Sequence, residues 1–393
     1  MKLGALNPPQ RLLMGPGPSA VHPRVFEAIG KPVLGHLDPA FLEIMDETRS
    51  LLQAVFGTEN KLTLPVSGTG SSGMEAALVN ILEPGDHAVV CVNGAFGGRM
   101  ADIVERYGAH ATRVDSPWGE IVPPEKVADA LNETPNPKVA AIVHVETSTG
   151  VLQPLREVAR LAHESGALFL VDAVTSLGGA PVDVDETGID VCYSATQKCL
   201  SCPPGLAPIT FSERAVEAIE NRRSKVASWY LDMTLISKYW GSERIYHHTA
   251  PISMIYALRE SLRIVVEERP GARYERHRLH SAALCAGLEA IGLTLGAQEG
   301  YRAPMLNMAF IPDGVGDASA RRRLLDEFNI EIGGGLGAFA GKAWRIGLMG
   351  ESCSRASVMR CLDGLESILR SEGLPIPQGA GLSAAMERYE SGS

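Results

Sequence analysis

Between about Lys61 and Phe211 the chain alternates short apolar runs with longer amphipathic stretches. Seven runs read as strands: "KLTLPV", "HAVVCVNG", "HATRVDS", "VAAIVHVE", "ALFLVDAV", "DVCYSA" and "LAPITFS". Most are apolar without alternation, the mark of strands covered on both faces. The stretches between them, such as "SGMEAALVNIL", "GGRMADIVERYG" and "LREVARLAHESG", carry helical spacing, and Gly closes two of them in "RYGA" and "ESGA". This spacing predicts an α/β unit with a mostly parallel seven-stranded sheet and flanking helices.

The texture changes after "YHHTAPISMIYALRESLRIVVEERPGARYERHRLHSAALCAGLEAIG", a long helical stretch broken near Pro270. Strand-like "MLNMAFIP", helical "GDASARRRLLDEFN", strand-like "IEIGGGLG" and "AWRIGLMG", and helical "SRASVMRCLDGLESILRSEG" follow. They predict a smaller α+β domain. The expected division is an N-terminal arm over 1–20, a large domain over 21–268, a small C-terminal domain over 269–376 and a polar, frayed tail over 377–393.

Composition narrows the function classes. The 393 residues carry a net charge of −10, which argues against an unaided nucleic-acid binder or a basic membrane anchor. No apolar run is long enough to span a bilayer. The N-terminal stretch lacks a signal-peptide core and the C-terminal one a peroxisomal address, so the expected location is the cytoplasm. Seven scattered Cys fit reduced thiols there. Cys199 and Cys202 form C-x-x-C and His277 and His280 form H-x-x-H, but no second pair sits at zinc-site spacing. No metal is expected.

The chemistry starts at "TLPVSGTGSSGMEAALVN", where Gly68, Gly70 and Gly73 spell G-x-G-x-x-G. A dinucleotide site also needs an acid at the tip of the next strand, about twenty residues on. That tip is Asn93-Gly94. The loop is rich in hydroxyls instead (Ser67, Thr69, Ser71 and Ser72), which suits a single phosphate with many exposed oxygens. Further on, "ALFLVDAV" ends in Asp172, and "DVCYSATQKCLSCPPG" runs out into Gln197 and Lys198. Taken alone, Asp172 reads as a structural acid, and Lys198 reads equally as a surface lysine with a buried stem. Together, a phosphate cup, a strand-end Asp and a strand-end Lys are the parts that hold pyridoxal 5′-phosphate (PLP). The Lys reacts with the cofactor aldehyde, and the Asp keeps the pyridine nitrogen protonated.

The blocks "GPGPS", "SGTGSSGMEAALVNILEPGD", "ETSTGVLQPL", "VDAVTSLGG", "QKCLSCPPG", "YHHTAPISMIYALRE" and "GGGLGAFAGKAWRIGLMG" follow in order over nearly the whole chain. With them the sequence resembles the class V, fold type I PLP-dependent aminotransferases of the alanine–glyoxylate and serine–glyoxylate group. The resemblance implies Lys198 as the Schiff-base lysine and Asp172 as the partner of the pyridine nitrogen, the two catalytic residues. It implies Thr147 on the cofactor's phenolic oxygen, Thr69, Gly70, Ser71 and Gln197 on the phosphate, Val174 under the ring and Phe96 stacked over it. Tyr246 and Thr249 match positions that reach the phosphate from the other subunit, so a homodimer with a shared site is implied. Arg345 matches the arginine that grips the substrate carboxylate.

For the substrate, the resemblance implies a small amino acid and glyoxylate, in a ping-pong exchange through pyridoxamine phosphate. Several blocks are similar to the ureidoglycine–glyoxylate branch, which is expected to carry amides at two pocket positions. This chain has His36 and Tyr246 there. Alanine is therefore the favoured donor, with serine possible. The alternatives are a ureidoglycine–glyoxylate aminotransferase, or a class V PLP lyase such as a cysteine desulfurase.

Overall fold

The structure is a computed structural model of the chain and describes residues 4–391. Met1, Lys2 and Leu3 of the expected arm and Gly392 and Ser393 of the expected tail lie outside the described residues.

All seven apolar runs become strands of one sheet: β1 (Leu62–Ser67), β2 (His87–Val92), β3 (His110–Asp115), β4 (Pro137–Val143), β5 (Leu168–Asp172), β6 (Val191–Tyr193) and β7 (Leu206–Phe211). Their order is β1–β7–β6–β5–β4–β2–β3. The sheet is mixed. The pairs from β6 to β3 are parallel, whereas β7 runs antiparallel to β6 and β1. Parallel neighbours need a crossover element between them, and no helix separates β6 from β7. The loop between them simply turns back, and it carries Lys198.

The parallel strands all present their carboxyl ends on one side. In such a sheet the segments leaving those ends line the ligand crevice. Helix Gly70–Ile81 follows β1 and lies tight on β6 and β7, because a side chain at Gly73 would come within 3.0 Å of Ala207 and 3.4 Å of Tyr193. Gly108 and Gly166, both at positive φ, end the two helices where the "RYGA" and "ESGA" signals stand.

The sheet and its helices share one large apolar core drawn from residues between Val25 and Val265. A second core unites Met14 with residues from Ala283 to Tyr389. It sits under a three-stranded antiparallel sheet of Leu306–Phe310, Ala343–Gly347 and Gly333–Gly334. Helix Ile252–Glu268 gives way to helix Pro270–Ala290 at Arg269, whose φ is +70°. The N-terminal arm lies along this second region, with Leu12–Leu13 pairing in parallel with Ile330–Glu331.

One expectation is corrected. The stretch after residue 376 is not a frayed tail, because Ala380–Ser391 is a helix packed on Pro270–Ala290. Its apolar face is short but regular: Gly381, Ala385 and Tyr389 recur every four residues and are buried. A side chain at Gly381 would meet Ile291 at 2.9 Å, so glycine lets the helices approach. The Glu366 carboxylate caps the turn by accepting from the Gly379 and Gly381 N–H groups at 2.5 and 3.0 Å. The overall polarity of the stretch hides this face.

Candidate active site

The residues leaving β1, β2, β4, β5 and β6 converge. The glycine loop comes first. Thr69 is the N-cap of helix Gly70–Ile81, yet its hydroxyl makes no capping bond; within the first turn the Ser72 N–H donates to the Thr69 carbonyl at 2.8 Å, and the Gly70 and Ser71 N–H groups have no helical acceptor. Two of the four hydroxyls are engaged elsewhere: Ser72 donates to the Thr69 carbonyl at 2.6 Å, and Ser67 Oγ lies 2.7 Å from His248 Nε2. Thr69 and Ser71 remain, with Arg99 donating to Ser71 Oγ at 3.4 Å. A side chain at Gly70 would meet Ala195 at 2.9 Å and Val174 at 3.4 Å, so the loop, Val174 and the end of β6 touch one another.

Asp172 ends β5 and is 2% exposed. Its register partner on β6, Tyr193, donates its hydroxyl to Oδ2 at 2.7 Å, and the Val174 N–H donates to Oδ1 at 2.8 Å. Burial pushes the carboxyl up to about 6, against the pull of those two bonds and of Lys198. A carboxylate this dry gains strongly from a cation placed beside it.

Lys198 is 8% exposed. Burial, and then the charge of Arg345, lower it to about 8, so its neutral amine is accessible near physiological pH. The arm that sequence reasoning left without a role encloses it. Lys198 Nζ donates to the Pro16 carbonyl, Ser19 Oγ donates to the Lys198 carbonyl at 2.7 Å, and the Ser19 N–H donates to the Gln197 carbonyl at 2.9 Å. Gly17, at φ +105°, leaves no room for a side chain, since a Cβ would lie 2.8 Å from Lys198 Cδ. The signal was the rigid "GPGPS" block itself.

Arg345, on the strand Ala343–Gly347, donates through Nε to the Gly334 carbonyl at 2.8 Å and through Nη1 to the Thr147 carbonyl at 3.2 Å. These bonds fix the guanidinium plane and leave three N–H groups for a ligand carboxylate. Burial lowers it to about 10, so it stays charged. Thr147 is buried, with its hydroxyl 2.5 Å from that of Thr175.

Glu146 was also missed, although it follows an apolar strand as Asp172 does. It is 0% exposed. It accepts from the N–H groups of Phe96, Gly97 and Ser148 at 3.1, 3.3 and 3.0 Å and from Ser148 Oγ at 2.6 Å. It thus caps the helix Ala95–Arg106 from outside and fixes the backbone that carries Phe96. The Arg99 guanidinium lies over the Phe96 ring at 4.8 Å.

His36 and Tyr246 also come together, with ring centroids 4.9 Å apart, and the Tyr246 hydroxyl lies 3.4 Å from that of Thr249. No hydrogen bond recorded among the described residues ties this group to the Asp172–Lys198 pocket. Tyr246 is 55% exposed.

The C-x-x-C and H-x-x-H pairs have structural partners instead. Cys199 and Cys202 are buried free thiols. His277 bridges the Arg273 carbonyl, at 2.7 Å, and the Gly350 N–H, at 3.1 Å, and His280 meets the Tyr389 hydroxyl at 2.8 Å. Among the described residues no group of three or more His, Cys, Asp or Glu side chains could hold a metal ion.

The pocket fits PLP by the chemistry of its donors. It offers an uncapped helix start beside free hydroxyls, a buried carboxylate that wants a cation and a buried lysine of lowered basicity. The Gln197 side-chain oxygen is buried with no partner among the described residues; as an acceptor it calls for a hydrogen-bond donor, so only the amide N–H₂ of Gln197 suits a phosphate oxygen.

Comparison with known proteins agrees. Residues 25–363 match the family model for class V aminotransferases. An (S)-ureidoglycine–glyoxylate transaminase of Bacillus subtilis is 40% identical, over 97% of this chain and 96% of its own. An alanine–glyoxylate aminotransferase of Felis catus is 41% identical, over 94% of this chain and 90% of its own. The crystal structure of an alanine–glyoxylate aminotransferase from Nostoc sp. superposes with a TM-score of 0.92 at 51% identity, over 94% of this chain and 98% of that one. The chain belongs to the class V aminotransferases, and it is a PLP-dependent enzyme.

Proposed function

We propose that the enzyme transfers the amino group of a small amino acid, alanine first and serine second, to glyoxylate, giving glycine and a 2-oxo acid in two half-reactions. The observation that carries the donor is the His36–Tyr246 pair at 4.9 Å, an aromatic contact where a ureido group would call for amides. The relatives support glyoxylate as acceptor, since both the alanine and the ureidoglycine enzymes among them are named for it. Ureidoglycine is the second reading, favoured by the 40% identity to the Bacillus subtilis transaminase.

On this reading Thr69, Gly70, Ser71 and Gln197 hold the cofactor phosphate, Asp172 the ring nitrogen and Thr147 the phenolic oxygen, while Val174 and Phe96 cover the two ring faces. When bound, PLP supplies an electron-withdrawing ring that stabilises negative charge at the substrate α-carbon. Arg345 takes the substrate carboxylate on its free N–H edge and so orients the bond to be broken. Lys198 as a neutral amine would accept the α-proton and deliver it to the carbon that was the cofactor's aldehyde. Pro16 and Gly17 hold the lysine stem in place between those tasks.

We also take the arm as 1–20, the large domain as 21–268 and the small domain as 269–376, and we read the active unit as a cytoplasmic homodimer. Trp229, Tyr230, Ile245 and Tyr246 leave 43–63% of their surface exposed, an aromatic patch suited to a second copy that brings Tyr246 and Thr249 to its site. All seven cysteines are free, as a reducing compartment keeps them. No helix among the described residues is long and apolar enough to cross a membrane.

The test is glycine formation from glyoxylate with alanine, serine and ureidoglycine supplied in parallel. The proposal requires the highest kcat/KM with alanine, and a clear preference for ureidoglycine would replace it with the second reading.

A further inference from the structure

Two adjacent histidines beside the loop fix each other's protons. The Trp229 carbonyl lies 3.2 Å from His247 Nε2, the two Nδ1 atoms of His247 and His248 are 2.8 Å apart, and His248 Nε2 is 2.7 Å from Ser67 Oγ. A carbonyl only accepts, so His247 Nε2 carries a hydrogen. In a neutral pair His247 Nδ1 is therefore bare and accepts from His248 Nδ1–H. His248 Nε2 is then bare, and Ser67 gives its hydroxyl hydrogen to it. One added proton changes the end of the run. His248 then carries hydrogen on both nitrogens, Nδ1–H still donates to His247 Nδ1, Nε2–H donates to the Ser67 oxygen, and the Ser67 hydroxyl hydrogen is released to another acceptor. A second added proton would set two N–H groups against each other and is excluded.

We propose that the His247–His248 pair is a proton-controlled switch on Ser67, which couples uptake of one proton to binding of an anion in the 67–73 loop. This makes His248 a positioning residue for the loop, and it rests on the assignment of that loop to the PLP phosphate.

Burial, and then His247, lower His248 to about 4, so His248 is neutral at physiological pH in the ligand-free chain. The groups that face it are the Trp229 ring stacked on His247 at 4.4 Å, Tyr230 at 6.2 Å from His247 and 5.2 Å from His248, Tyr239 at 6.1 Å from His248, and Ser67. Two phenols are the titratable groups among them, and no carboxylate among the described residues pairs with either histidine. An anion that takes the freed hydroxyl hydrogen raises the proton affinity of the pair, and by linkage the proton strengthens anion binding by the same factor. Because the bound-state ionisation lies above the free one, this gain is complete below the free value and is lost as pH rises through the bound value.

The experiment is calorimetric titration of PLP into the full-length apo-protein at pH 6 and pH 8, in two buffers of different ionisation enthalpy, with wild type, Ser67→Ala, His248→Phe and Thr69→Ala. Differences between variants cancel the titration of PLP itself. We expect Ser67→Ala and His248→Phe to remove a measurable fraction of a proton from the uptake at pH 6 and to weaken PLP about five-fold there, but less than about two-fold at pH 8. Wild-type uptake in Ser67→Ala overturns the switch. Ser67→Ala removes one oxygen only, so it decides the matter if His248→Phe melts early. Thr69→Ala separates the two readings. Unchanged PLP affinity there means that the loop does not hold the phosphate, whereas weakened affinity with unaltered uptake in Ser67→Ala defeats the switch alone.

Discussion

The Asp172–Lys198 pocket and the His36–Tyr246 group are built from opposite materials. In the pocket, Asp172, Lys198, Glu146, Thr147 and Arg345 are each at most 8% exposed and are tied to one another or to the backbone. Burial has moved Asp172 up, Lys198 down and Arg345 down. Tyr246 lies open, and among the described residues no such bond reaches the pocket. On the proposed function the difference separates two tasks. Proton transfer needs groups of shifted basicity in a dry site, which one chain assembles by itself. Selection among small donors needs contact area, and here that area waits on a surface that a second copy is proposed to cover.

The comparison breaks first if the pocket is not where the chemistry happens. Lys198→Ala is expected to lower turnover by about 10³-fold or more, the scale of a lost positioned acid–base group. Steady-state glycine formation measures it, and near-normal turnover would remove Lys198 from its role. Arg345→Ala comes next. It deletes charge-assisted bonds to a carboxylate, so kcat/KM is expected to fall about 10²- to 10³-fold, mostly through KM. Arg345→Lys is not a rescue, because the planar fork held by Gly334 and Thr147 has no counterpart in an ammonium.

Lys198, Asp172 and Arg345 were singled out in the sequence for different reasons. Lys198 and Asp172 stand at the ends of apolar runs, the pattern that exposed all seven strands, but only their combination with the hydroxyl-rich loop set them apart from a surface lysine and a structural acid. Arg345 carried no local sign and came only from its flanking block. What stayed hidden depends on contacts far apart in the chain. Pro16 and Gly17 meet Lys198 across some 180 positions, Glu146 meets the helix start at Phe96, and Ser67 turns its hydroxyl to His248 rather than to the loop. The C-terminal helix was masked by polarity averaged over a face that is only three residues long.

The open region provides the middle-sized effect. Thr249→Ala, or Tyr246→Phe, is expected to weaken retention of PLP about ten-fold, the loss of one hydrogen bond to a charged oxygen. If a second copy supplies these residues, the loss should grow on dilution below the dimerisation constant. Sedimentation velocity alongside PLP absorbance checks both. A variant that keeps PLP as a monomer would confine the whole site to one chain and end the division of labour drawn above.

The smallest expected effect is the one that ties the pocket's charges together. In its proposed role Lys198 acts as a base only when neutral, and its ionisation near 8 lies below that of an exposed lysine because burial, and then the Arg345 charge, disfavour the ammonium. The rate of the proton-transfer step in single turnover should therefore rise with pH through about 8 and level off above it. Removing the neighbouring cation in Arg345→Gln relieves part of the penalty on the ammonium. The limb should then move to higher pH while the dominant desolvation stays, so the curve is displaced by less than the full distance to an ordinary lysine. Stopped-flow absorbance at saturating donor isolates this step from the weaker binding that the same substitution causes. A limb that stays in place in Arg345→Gln would mean that desolvation alone tunes Lys198, and that the two groups share a pocket without sharing their charge.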